Sequence, residues 1–281
     1  MLRTGVWSLA VCGLALLAAC EKNSEADVNR ALDGTNLIDQ SNLNELMLTV
    51  ADPEDAVNHF ERVLAQQPDR LDLKRGLARS LVRARRAEAS LPVWREIVAS
   101  SEATDDDRLG LADALVRTGT WEEARAELDR IPPTYETYDR YRLEAMVADA
   151  RQDWRRADSF YGTAVELTTR PSGVLNNWGY SKLMREDYSG AEKLFLEALK
   201  HDPAMFTAKN NLAIARAGQR NYTLPVIEMT QAERAQLLHT LALGAIKQGD
   251  VQTGRVLLRE AVETHPQHFE AAARSLAALE G

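Results

Sequence analysis

Cysteine is almost missing from this 281-residue chain, with Cys12 and Cys20 its only two. So few thiols exclude a disulfide framework of the kind that staples small secreted domains. Glycine, proline and aromatic residues are sparse, and runs of β-branched residues of the kind a sheet needs are missing. Alanine, leucine, arginine and glutamate dominate instead, which points to helices. Also missing are a glycine-rich phosphate loop, a nucleophile elbow and any cluster of metal-ligand type. The five histidines, His59, His201, His239, His265 and His268, do not assemble a site. His201 closes a helix, where its charge suits terminal carbonyls. His265 and His268 flank Pro266 with no cysteine and no obvious carboxylate to complete a metal shell. An enzyme is not indicated, and no cofactor, metal or small-molecule substrate is implied. The formal charge of −8 argues against nucleic acid and against anionic headgroups as partners.

What is present begins at the N-terminus. Arg3 supplies a positive charge, Val6 to Ala18 form an apolar run too short to span a bilayer comfortably, and Leu17-Ala18-Ala19-Cys20 follows. This order is that of a secretory signal covering residues 1–19. Leu-Ala-Ala-Cys matches the bacterial lipobox, so Cys20 is expected to carry lipid and become the new N-terminus. Removing the signal leaves no second thiol and takes the charge to −9, so attachment would rest on the acyl chains. Glu21 follows Cys20, without the aspartate that typically retains enterobacterial lipoproteins in the inner membrane. The expectation is an outer-membrane anchor facing the periplasm. Residues 20–36 are polar and read as a lipidated, flexible tether.

From Leu37 onward the chain repeats itself. Frames opening at Leu37, Leu71, Asp105, Tyr138 and Ser172 are separated by 34 or 33 residues. The eighth position holds Asn44, Ala78, Ala112, Ala145 and Gly179, and the twentieth Ala56, Ser90, Ala124, Ala157 and Ala191. Small residues in these columns let two helices approach closely. Four positions on stand Phe60, Trp94, Leu128, Tyr161 and Phe195, one turn along the same face. The sixteenth position holds Asp52, Arg86, Thr120, Asp153 and Asp187, a helix-capping type in every unit but the second. A sixth unit opens at Phe206 and then breaks, with Pro225 in its small-residue column. The pattern resumes at Ala235, and residues from Phe269 to Leu279 supply a helix to cover the last unit. The expected organisation is a repeat stack over 37–217, an irregular linker at 218–229 that locally opens the stack, and a terminal repeat with its cap over 230–281.

These columns resemble the tetratricopeptide repeat (TPR), most closely through Trp178-Gly179, Asp187-Tyr188, Ala191, Phe195, Ala198 and Pro203. The resemblance implies an all-α, right-handed superhelical solenoid of helix–turn–helix units that binds other proteins. A narrower resemblance rests on Asn176-Asn177-Trp178-Gly179-Tyr180, on Glu197 to Pro203 and on Lys209-Asn210-Asn211-Leu212-Ala213. These strings look like the TadD family of tight-adherence (Flp) pilus assembly lipoproteins, with type IV pilotins sharing the layout. That implies a factor helping an outer-membrane secretin localise or assemble. A scaffold for barrel insertion or cell-wall synthesis is the rival within the same class.

In this family the inner face is lined near positions two, five, nine, twelve and thirteen of each unit. For units five and six this selects Asn176, Tyr180, Leu183, Met184, Asn210 and Ile214 as a partner-binding groove. Asn177 and Asn211 recur at the sixth position, but Gln236 and Thr240 stand where a carboxylate clamp would need cations. The surface suits an extended or helical peptide instead. In unit two, Arg75, Arg79 and Arg83 fall on one helical face. They form either a secondary basic patch for a carboxylate-bearing peptide or a solvated face balanced by Asp72 and Asp113.

Overall fold

The computed structural model describes residues 43–280, and among these every regular element is an α-helix. The signal at 1–19, Cys20, the tether at 20–36 and the opening of the first repeat lie outside the described residues. The chain divides into two compact units, meeting in sequence at Ala103–Thr104. In the first, α1 covers residues 43–49, followed by α2 (Pro53–Leu64), α3 (Leu71–Arg83) and α4 (Ala87–Ala99). The second holds α5 (Asp105–Arg117), α6 (Trp121–Leu128), α7 (Tyr138–Ala150), α8 (Trp154–Glu166) and α9 (Ser172–Met184). It continues with α10 (Tyr188–His201), α11 (Phe206–Gly218), α12 (Gln231–Lys247), α13 (Val251–Thr264) and α14 (Glu270–Glu280).

The 34-residue frame is visible in where these helices begin. Helices α3, α5, α7, α9 and α11 start on the first position, and α2, α4, α6, α8, α10 and α13 on the seventeenth. The turn between the two helices of a repeat explains this regularity. Its fifteenth residue is left-handed in six successive repeats: Arg85, Gly119, Gln152, Glu186, Arg220 and Gly249, with φ between 58° and 86°. The sixteenth N–H then donates back to the eleventh carbonyl, as Asp187 does to Lys182 and Asp250 to Ala245, both at 2.9 Å. That pair of features ends a helix by satisfying an otherwise orphaned carbonyl. The same sixteenth side chain opens the next helix: Asp52, Asp153, Asp187 and Asp250 each accept a backbone N–H at 2.9–3.3 Å. Thr120 does not do so, contrary to expectation. Its hydroxyl meets that of Thr118 at 3.1 Å, so the short side chain is turned away from the helix it precedes.

The columns read from the sequence form the core. Ala56, Ser90, Ala124, Ala157 and Ala191 are fully buried, and Phe60, Trp94, Leu128, Tyr161 and Phe195 sit against their helices with almost no exposure. Burial of an aromatic or leucine side chain contributes about 1.5–3 kcal/mol, so these columns carry much of the stability.

The break in the sixth repeat is filled rather than open. Helix α11 runs through Gly218, Arg220 makes the usual left-handed turn, and no second helix follows. In its place Tyr222, Leu224, Ile227 and Met229 pack against the core formed by Leu237, Leu241 and Leu258. Ile227 also reaches the core around Phe195 and Leu212, and Pro225 is buried. Their side chains occupy the space a helix would have filled, so the expected opening does not occur. Helix α12 starts at Gln231, ahead of Ala235, because Thr230 and Glu233 form a reciprocal capping box. Glu233 accepts the Thr230 N–H at 2.7 Å and also holds the buried Lys209 ammonium at 3.0 Å. The Thr230 backbone bond, with help from Lys209, keeps the Glu233 carboxyl below its ordinary value.

Candidate partner-binding site

The column of ninth positions, one from the first helix of each repeat, changes in chemistry along the chain. It reads Glu45, Arg79 and Asp113 in the early repeats, then Met146, Tyr180, Ile214 and Leu243. Tyr180 is 50% exposed, Ile214 37% and Leu243 46%; Met184, one turn beyond Tyr180, is 60% exposed. Apolar side chains of this size left open in register on neighbouring helices have no role in the core. They form a surface that gains free energy when another chain covers it.

Of the six residues expected to line the groove, Tyr180, Met184 and Ile214 face outward. Leu183 is half-buried and belongs to the core around Phe195 and Leu212. Asn176 is buried: its Oδ1 accepts from Asn211 Nδ2 at 3.1 Å, bracing α9 to α11. This corrects its assignment to the groove, because the amide is spent inside the stack. Asn210 is half-buried and accepts from the Thr240 hydroxyl at 2.7 Å, tying α11 to α12. Met146 and Leu243 are the residues sequence reasoning missed. Reading the ninth column through the repeat that restarts at Ala235 would have found both.

The surface contains two clefts. One, of about 550 Å³, lies between α11 and α12, with Ile214, Leu243 and Lys247 on its rim and Ala217, Gly218 and Gly244 in its lining. Gly244 is needed there, since a β-carbon would stand 2.5 Å from that of Ala217. The other, of about 390 Å³, is lined by Trp121, Met146, Asp149, Trp154, Tyr180 and Met184, among others. Asp149 accepts from the Ser181 hydroxyl at 2.6 Å and from the Tyr161 hydroxyl at 2.8 Å. Burial raises the Asp149 carboxyl above its usual range, and these hydrogen bonds oppose the shift only in part. Neighbouring Asp158 goes the other way. Burial pushes it up, but Arg185, Trp178 and Lys182 all donate to it and hold it below the ordinary value.

The basic stripe of the second repeat does not survive as a patch. Arg83 donates to the carbonyls of Met47, Leu48 and Ala51 at 2.7–3.0 Å, closing the end of α1. Arg75 donates to the Glu102 carbonyl at 3.1 Å. Only Arg79 of the three stands exposed at the ninth position with its guanidinium uncommitted among the described residues. The histidines also have structural partners. His59 bonds Asn44 Oδ1 at 2.9 Å, and burial, with Arg62 nearby, lowers its pKa. His239 meets the Ser275 hydroxyl at 3.2 Å. Among the described residues, no group of three or more His, Cys, Asp or Glu could hold a metal ion.

Residues 48–106, 75–138 and 176–224 match the family model described as tetratricopeptide repeat. This is a TPR protein. A TPR protein from Parabacteroides merdae superposes with a TM-score of 0.53 at 13% identity, over 82% of this chain and 93% of that one. The C-terminal part of a TPR repeat-containing protein from Cytophaga hutchinsonii gives 0.51 at 14%, over 84% and 98%. The Cut9 and Hcn1 structure of the APC/C gives 0.59 at 12% over 82% of this chain, which spans only 46% of that longer one. At these identities the likeness shows the fold alone. No curated protein matches the sequence. TPR folds are typically non-enzymatic protein-interaction scaffolds, in keeping with the exposed apolar side chains of Tyr180, Met184, Ile214 and Leu243.

Proposed function

We propose that this TPR protein is a lipid-anchored scaffold of the outer membrane, facing the periplasm, that holds a segment of a partner protein. The observation that carries this reading is the ninth-position column, which turns from charged to apolar and stays exposed at Tyr180, Ile214 and Leu243. The anchor rests on Leu17-Ala18-Ala19-Cys20, and no described helix is long and apolar enough to cross a membrane. The resemblance to tight-adherence pilus lipoproteins and pilotins names an outer-membrane secretin, or another pilus component, as the partner whose assembly it supports.

The test is co-purification from envelopes solubilised in mild detergent. The unmodified protein should retain a secretin, whereas Tyr180→Ala with Met184→Ala should lose it while keeping helicity and lipidation. Recovery instead of barrel-insertion or cell-wall factors would move the protein to another envelope machine. Retention of the secretin by the double variant would place its binding elsewhere. For the anchor, Cys20→Ser should leave an unprocessed precursor, and density-gradient fractionation should place the mature protein with the outer membrane.

A further inference from the structure

The proposed docking surface is not uniformly apolar, and the cleft between α7 and α9 differs from the one between α11 and α12. Asp149 lines it, half-buried, among Trp121, Met146, Trp154, Tyr180 and Met184. Both protein groups bonded to this carboxylate are neutral hydroxyls. Among the described residues no lysine, arginine or histidine nitrogen lies within 4.0 Å of it. The cations nearby are committed: Arg185 and Lys182 pair with Asp158, and Arg142 pairs with Asp113 at 2.9 Å. Arg185 also lies over the Trp154 ring at 5.5 Å.

We propose that this cleft receives a lysine or arginine side chain of the bound segment. The chemistry fits on two counts. The long methylene stem of a basic side chain matches the thioether and ring walls, which would cover it while the charged head goes deeper. Indole and phenol faces attract cations, and a partly desolvated carboxylate strengthens the attraction. An acidic side chain would be repelled by Asp149, and a neutral polar one would leave its carboxylate with two hydroxyls and the field of Arg185 but no bonded cation, so the cleft selects by sign as well as by size. The α11–α12 cleft, with small residues in its lining and Ile214 and Leu243 on its rim, then takes a neighbouring apolar side chain. The partner segment is therefore basic and apolar, with at least one Lys or Arg beside aliphatic or aromatic residues. A shift in the Asp149 carboxyl toward its neutral form, caused by burial, agrees with a site incomplete without its occupant.

This inference rests on the docking surface of the proposed function, and its test separates the two. A displayed library of random twelve-residue peptides is selected on the full mature protein. Binding of the best peptide is then measured by calorimetry, with its basic residue intact or changed to glutamine. Selected peptides should be enriched in Lys or Arg beside apolar residues, and the glutamine version should bind at least about tenfold more weakly. Met184→Lys puts an ammonium beside the cleft and should erase that tenfold difference, since the fixed cation competes for Asp149 whatever the peptide carries. Asp149→Asn should do the same. Peptides that bind without a basic preference, or with one that Met184→Lys leaves intact, would overturn the inference and spare the docking surface. Failure to select any peptide, or binding indifferent to Tyr180→Ala and Ile214→Ala, would overturn both.

Discussion

Gly179 lies directly against Phe195: a β-carbon built on the glycine would stand 2.6 Å from Cε1 of the ring and 2.8 Å from Cδ1. Phe195 is fully buried, so it has nowhere to retreat. Gly179→Ala is therefore expected to destabilise the protein by about 1–3 kcal/mol through overpacking. The control is Gly173→Ala in the same helix, where nothing lies within 4 Å of the added atom. That change should leave stability equal or raise it by up to about 1 kcal/mol through helix propensity. Thermal melts followed by circular dichroism distinguish the two.

The left-handed fifteenth position gives a second expectation. Gln152 and Glu186 hold φ values of 59° and 63°, a conformation that costs a side-chain-bearing residue roughly 1–2 kcal/mol. Glu186→Gly and Gln152→Gly should each stabilise the protein by about 1 kcal/mol, after allowing for the glycine's freer unfolded chain. Gly249→Ala should lose a similar amount, since φ is 86° there and no clash intervenes. Denaturant midpoints of the three variants check the signs.

Asp149 supplies a pH-dependent expectation. Its folded pKa is raised by burial, against hydrogen bonds from Ser181 and Tyr161 and the field of Arg185, with the charge of Asp158 adding to the rise. A raised carboxyl favours the folded state below the unfolded pKa, and that contribution is lost as pH rises through the folded value. Ionised Asp149 thus weakens the free protein at neutral pH. Asp149→Asn should melt higher than the unmodified protein at pH 7, and the gap should close as the medium is acidified and Asp149 takes up its proton. A variant that melts lower at pH 7 would show that the carboxylate is compensated in the free protein.

Arg83 connects a misread motif to a stability claim. With Arg83→Ala, the Met47, Leu48 and Ala51 carbonyls lose their donor. Local opening of α1 should become easier by about 1 kcal/mol, or roughly fivefold faster amide exchange in that helix. Exchange in α3 itself should change little.

Most of the fold was legible because it depends on local chemistry repeated many times. Small and bulky columns at fixed offsets are a direct imprint of two helices packing in one register, and helix starts at Leu71, Asp105, Tyr138, Ser172 and Phe206 follow from it. The site was legible only in part. Tyr180, Met184 and Ile214 could be placed on the exposed face by position alone, but Asn176 could not be assigned correctly. Its burial depends on a bond to Asn211, 35 residues away. Arg83 failed for a similar reason, since its acceptors are main-chain carbonyls of another helix that no side-chain pattern reports. Leu243 was lost at the frame shift before Ala235. The Thr230–Glu233 capping box was readable there and would have marked the true start of α12.

The central claim is that a partner segment lies on the apolar ninth-position column of the later repeats. Site-specific photo-crosslinking in intact cells tests it most directly, with a photoreactive phenylalanine analogue placed at position 180, 214 or 79. Positions 180 and 214 should each yield an adduct with the same envelope protein, and position 79, exposed but flanked by charge, should yield none. An adduct at position 79 with nothing at 180 and 214 would contradict the account and move the binding surface to the second repeat.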